Sequence, residues 1–117
     1  MKIQAVNDSG VQVLAVSGRV DSTNAASFET GIMESLNDNS KGLVLDLSLV
    51  EFISSAGLRA ILLAAREVKD RQTQFALCAV PEPVKNVLKI AGFLRLMDVI
   101  ESRQLAVDRM AGASTAG

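Results

Sequence analysis

The chain has 117 residues, 49% of them hydrophobic but only 3% aromatic, and 12 Lys and Arg against 13 Asp and Glu give a formal net charge of −1. That length suits one domain with a core of Leu, Val, Ile, Ala and Met, and the charge gives no general pull toward nucleic acid or an anionic membrane. The absence of histidine and the single cysteine, Cys78, exclude histidine-based triads, histidine-containing metal sites and thiolate zinc sites, so no metal or cofactor is expected.

The opening residues, Met1 to Asp8, lack the apolar core of a signal peptide. No apolar stretch approaches the roughly 20 residues of a membrane-spanning helix. A cytoplasmic protein with no membrane partner is therefore expected. Lys2 to Val6 and Val11 to Val16 read as strands joined by the turn formers Asn7-Asp8-Ser9-Gly10, an antiparallel hairpin. Gly18 then releases the chain into Asp21-Ser22-Thr23, each a candidate helix N-cap. Ala25, Phe28, Ile32 and Leu36 form the apolar stripe of the next helix, and the polar stretch Asn37 to Gly42 is a loop.

Gly42 to Leu47 is a continuous apolar run, as expected of a strand buried on both faces. It leads through Ser54-Ser55-Ala56-Gly57 into a helix whose stripe is Leu58, Ile61, Leu62, Ala65 and Val68, with Arg59, Arg66 and Lys69 off it. Gln74 to Val80 is a further strand, which makes strand, helix and strand a crossover unit with parallel neighbours. Cys78 lies among its apolar residues and reads as a buried, inert thiol. Pro81 and Pro83 open another helix, with Val84, Val87, Leu88 and Ala91 as its buried stripe and Gly92 as its stop. Phe93 and Leu94 are expected to close the core, and Met97 to Ile100 to form a short edge strand. Ser102 caps a weak last helix through Leu105. The domain spans residues 1–109, and the small polar residues 110–117 form a flexible tail. The fold class is α/β: a mixed, mainly parallel sheet with an N-terminal antiparallel hairpin, covered by helices.

Fold class alone leaves function open. The glycine-rich turn of a dinucleotide site and the phosphate-cradling P-loop are both absent. Ile53-Ser54-Ser55-Ala56-Gly57 is not the nucleophile elbow of a hydrolase, and no histidine can serve Ser55 as base. A phosphoacceptor aspartate needs acidic companions, which Asp46 lacks in the sequence. No enzyme is expected. Ser54 and Ser55 nevertheless stand where the first backbone N–H groups of a helix have no internal partners and where negative charge is favoured. Capping uses one hydroxyl and leaves the other free. Asp21, Ser22 and Thr23 keep two readings, caps of the first helix or part of a surface beside the junction.

The run Asp46 to Leu58, together with Gly18-Arg19-Val20-Asp21, Val80-Pro81-Glu82-Pro83-Val84 and Ala91-Gly92-Phe93, resembles the STAS domain, above all the stand-alone anti-sigma factor antagonists of bacteria. The resemblance covers nearly the whole chain. It implies that Ser55 is phosphorylated by a serine kinase that is also the anti-sigma factor. It further implies that the unmodified protein binds this kinase and frees the sigma factor, and that a serine phosphatase resets the system. Ser54 occupies the place of a usual aspartate and is the alternative phosphorylation site. The implied partner-binding residues are Asp21, Ser22, Thr23, Ser54, Ala56, Gly57 and Arg59. A second role found in such domains is that of a non-switching subunit of a lipid-transport or other cytoplasmic regulatory complex.

Overall fold

The computed structural model describes residues 1–36 and 40–115, with side chains through residue 112. β1 (Lys2–Asp8) and β2 (Val11–Val20) pair antiparallel from Lys2 opposite Ser17 to Asp8 opposite Val11. Ser9 and Gly10 between them have φ of 56° and 86°. Two successive positive φ values match the twist of the flanking strands. β3 (Gly42–Ile53), β4 (Gln74–Cys78) and β5 (Asp98–Ile100) follow, and the five-stranded sheet has the order β1-β2-β3-β4-β5 with every pair after the first parallel. Each parallel step is bridged in turn by α1 (Ala25–Ser35), α2 (Ser55–Asp70) and α3 (Glu82–Ile90). The mixed, mainly parallel sheet with its antiparallel hairpin is as the sequence predicts.

Both faces of the central strands are buried. Leu14, Val16, Leu43, Leu45 and Leu47 pack against Phe28, Ile32, Ile61, Ala64, Val68, Val84 and Leu88 from α1, α2 and α3. On the opposite face Val11, Val13, Val44, Ala76 and Cys78 meet Ala106, Val107 and Met110 of α4 (Arg103–Thr115). Burial pushes the Cys78 thiol up to about 12, with the Asp46 carboxylate adding to the rise and Arg103 opposing it. That leaves the thiol protonated and inert at neutral pH.

Several sequence expectations change. β2 and β3 run on to Val20 and Ile53, and two shifts in their register, between Ala15 and Ser17 and between Gly18 and Arg19, let the longer β3 keep pace. Gly18 sits at the second shift with φ 90°, a conformation that favours glycine. β4 stops at Cys78 because Ala79 turns to φ 53° and donates its N–H to the Ile100 carbonyl at 3.0 Å. Val84, Leu88 and Phe93 face the core as expected, but Val87, Ala91 and Leu94 are exposed rather than buried.

The last helix does not end at Leu105, and no tail begins at Met110. α4 runs to Thr115 and Met110 is buried against Gly42. The apolar second face of the sheet demands cover, and Ala106, Val107 and Met110 supply it. Residues 37–39 of the expected loop and 116–117 of the expected tail lie outside the described residues. No helix among the described residues is long and apolar enough to cross a membrane.

Candidate functional site

The parallel strands β2 and β3 end side by side, and each hands over to a helix at the same end of the sheet. Val20 is paired with Ile53, and the Val20 carbonyl accepts the N–H of Ser54 at 2.9 Å. This bond fixes where β3 stops and α2 starts. Ser54 stays extended (φ −89°, ψ 173°), its Oγ accepts the Gly57 N–H at 3.2 Å, and its carbonyl accepts the Leu58 N–H at 2.9 Å. Ser54 is therefore the N-cap, with one orphan donor of the helix satisfied by its hydroxyl. Ser55, the first residue of α2, is exposed, and its hydroxyl has no partner among the described residues. Of two adjacent serines, one is structural and the other is free.

Gly57 holds the junction tight. A Cβ there would stand 2.8 Å from Ile53 Cγ1 and 2.9 Å from Val20 Cγ1, so glycine lets α2 lie directly on the ends of both strands. Gly57 thus acts from a buried position, while Ala56 is half-buried and Arg59 is exposed one turn beyond Ser55.

The neighbouring loop is built from Asp21 to Asn24. The Asp21 carboxylate accepts the Thr23 N–H at 3.0 Å and the Thr23 hydroxyl at 2.6 Å. The Thr23 hydroxyl, its N–H and, less strongly, Arg19 hold the Asp21 carboxyl below the usual carboxylate range. Asn24 braces the loop, donating from Nδ2 to the Arg19 carbonyl at 2.9 Å and accepting the Asp21 N–H at 2.9 Å. None of the Asp21, Ser22 or Thr23 side chains is the N-cap of α1; Asn24 holds that position without a side-chain cap. Ser22 and Thr23 are exposed, and the Ser54–Val20 bond sets this loop beside the junction. Through that bond the Asp21, Ser22 and Thr23 loop and the Ser54–Ser55 junction lie at the same end of the sheet.

Two features of this end of the molecule were not singled out in the sequence. Arg19 lies over the Phe52 ring at 4.3 Å from its centroid, and Phe52 is 39% exposed. A shallow cleft of about 150 Å³ separates the end of β3 from α3, lined by Glu51, Phe52, Ile53, Pro83, Val84 and Val87. Alternation sets Phe52 on the face opposite Ile53, but in a sheet covered on both faces only the structure shows that this part of the face is open. The exposure of Val87 needed the placement of α3. A larger groove of about 400 Å³, lined in part by Lys2, Gln4, Ser17, Asp46 and Arg103, includes none of the junction residues.

The sequence model of one domain family, described as the STAS domain, matches residues 2–106. The chain belongs to the STAS domain family. This STAS domain is 34% identical over 106 residues to BtrV of Bordetella bronchiseptica, provisionally described as an anti-sigma factor antagonist, with 91% of each chain covered. It is 39% identical over 77 residues to the anti-sigma-F factor antagonist RsfB of Mycobacterium tuberculosis, covering 66% of this chain and 62% of RsfB. In fold it is similar to a Thermotoga maritima protein of the same provisional description, with a TM-score of 0.85 at 22% identity over 92% of this chain and 93% of the other.

Proposed function

We propose that this STAS domain is an anti-sigma factor antagonist. Its unphosphorylated form binds an anti-sigma factor serine kinase and frees the sigma factor, and phosphorylation of Ser55 reverses this. A serine phosphatase restores the binding form. The antagonist names of BtrV and RsfB support the first part of this reading. The observation that carries the second part is the free, exposed Ser55 hydroxyl beside a Ser54 already committed to capping. A kinase reaching Ser55 breaks no bond of the fold.

The physics of the junction suits such a switch. A phosphoserine carries about −1.5 to −2 charges at neutral pH. On the free protein, solvent and the positive end of α2 stabilise it, the dipole by roughly 0.3–1 kcal/mol at an exposed site. Against a closely fitted partner the same anion must be desolvated, which costs far more unless new cations meet it. The surface offered to that partner combines Asp21, Ser22 and Thr23 with Ser55, Ala56 and Arg59. The Arg19–Phe52 pair and the cleft to Val87 continue it. Ser54 and Gly57 contribute by shaping the backbone.

The test is reconstitution with an anti-sigma serine kinase and ATP. Ser55→Ala is expected to bind the kinase and accept no phosphate, and Ser55→Asp to bind at least tenfold more weakly, a loss of about 1.4 kcal/mol. Phosphate found on Ser54 alone overturns the site assignment. Recovery of a transporter ATPase instead of a kinase in pull-downs overturns the switch in favour of a transport-complex subunit.

A further inference from the structure

The longest free edge of the sheet is β1. It has seven residues, its pairing with β2 is continuous with no register shift, and it contains no proline. β5, the other outer strand, has three residues. An edge of this length without bulge or proline is a template for another strand.

The hairpin turn determines which backbone groups of β1 face outward. In a two-residue hairpin of this type the closing pair, here Asp8 and Val11, exchanges hydrogen bonds. Bonded and non-bonded pairs then alternate along the ladder. Val6, Gln4 and Lys2 bond to β2, whereas the N–H and C=O groups of Asn7, Ala5 and Ile3 point away from the sheet.

We propose that two copies of this chain form a two-fold dimer through antiparallel pairing of their β1 strands, centred on Ala5. One antiparallel register uses all three outward residues: Ala5 faces Ala5, and Ile3 faces Asn7 in both directions. It makes about six hydrogen bonds, two for each of the three pairs. With no further choice it also sets Lys2 opposite Asp8 of the second copy, at both ends of the ladder. These are non-hydrogen-bonded positions, where facing side chains come closest, and opposite charges placed so are stabilising. Neither residue is in an ion pair among the described residues; Asp8 accepts only the Ser9 hydroxyl, at 3.1 Å. Slipping the register by two residues sets Lys2 against Val6 or Gln4 against Asp8 and loses both charge pairs. No junction residue takes part, so the dimer presents two Ser55 surfaces, and its existence does not depend on what binds them.

Sedimentation equilibrium of the full chain from about 1 µM to 1 mM tests the proposal, a span that brackets weak self-association. Wild type is expected to show a monomer–dimer equilibrium that weakens with added salt. Lys2→Glu and Asp8→Lys each face like charges twice and are expected to weaken association at least tenfold. The combined Lys2→Glu/Asp8→Lys variant restores opposite charges and is expected to return to within about threefold of wild type. Lys2 is exposed and Asp8 half-buried at the hairpin end, and circular dichroism of each variant checks that the monomer fold is kept. A wild-type protein that stays monomeric across the range overturns the proposal. So does a combined variant as weak as the single ones.

Discussion

At the scale of single residues, Ser54 and Ser55 are neighbours of one chemical type, and their difference comes from one hydrogen bond to the backbone. The Val20 carbonyl captures the Ser54 N–H and holds Ser54 extended, so its hydroxyl turns back to Gly57 while Ser55 enters the helix with its hydroxyl in solvent. Ser54→Ala is expected to lower unfolding free energy by about 0.5–2 kcal/mol through loss of the cap. Ser55→Ala should stay within about 0.5 kcal/mol of wild type, as at an ordinary surface site. Urea denaturation of both variants checks the pair; equal losses would show that the capping role is shared. The sequence marks both serines as candidates but not their order of duty, because a shift of one residue in the helix start exchanges them.

At the scale of elements, α4 shows what patterning leaves out. It has small residues and no strong polar–apolar division, so its buried members Ala106, Val107 and Met110 do not announce a helix; the uncovered sheet face selects them. Met110→Ala is expected to cost about 2–4 kcal/mol, as for a buried methionine. A thermal or urea unfolding curve indistinguishable from wild type would return residue 110 to a tail.

The same helix is tied down at its start. Asp46 lies buried at the sheet, accepting the Ser48 N–H at 3.0 Å and Arg103 Nε at 2.8 Å, with Arg103 Nη2 at 2.7 Å. Burial pushes its carboxyl up, but the bonds from Ser48 and the Arg103 guanidinium outweigh that and hold it below the usual carboxylate range. A carboxyl whose folded pKa is depressed below its unfolded value, about 3.9, stabilises the fold above that value and loses the contribution as pH falls through the folded pKa. Arg103 is partly solvated, so Arg103→Met is expected to cost about 1–3 kcal/mol near neutral pH rather than the full cost of breaking a buried pair. The gap to wild type should close as Asp46 becomes protonated in both proteins. Unfolding measured from pH 7 down to about 2.5 checks this; a gap that persists at the acid end would assign the loss to packing of the arginine stem.

At the scale of the whole molecule, the sheet order follows from short connections: a two-residue hairpin, then three helices that each return the chain to the next parallel strand. The same topology sets the ends of β2 and β3 together, with α1 and α2 departing from one end of the sheet. Because the proposed switch acts by local charge on a rigid platform, phosphorylated and bare protein should differ little beyond the junction. Amide chemical shifts are expected to move in residues 19–24 and 51–60 and to stay fixed across β4, β5 and α4. Broad shifts through those elements would replace local repulsion with a conformational change.

The sequence by itself determined the hairpin, the alternating helices and strands, the capped junction and its glycine, since each rests on local periodicity or on one residue's backbone preference. It also carried the motif that places the chain among STAS domains. Only the tertiary structure decided which serine caps, that Asp21 holds Thr23 rather than α1, that Phe52 and Val87 face outward, and that α4 closes the second face. These depend on which distant groups meet: a carbonyl from β2, a guanidinium from α4, an apolar sheet face in want of cover. No window of neighbouring residues contains that information.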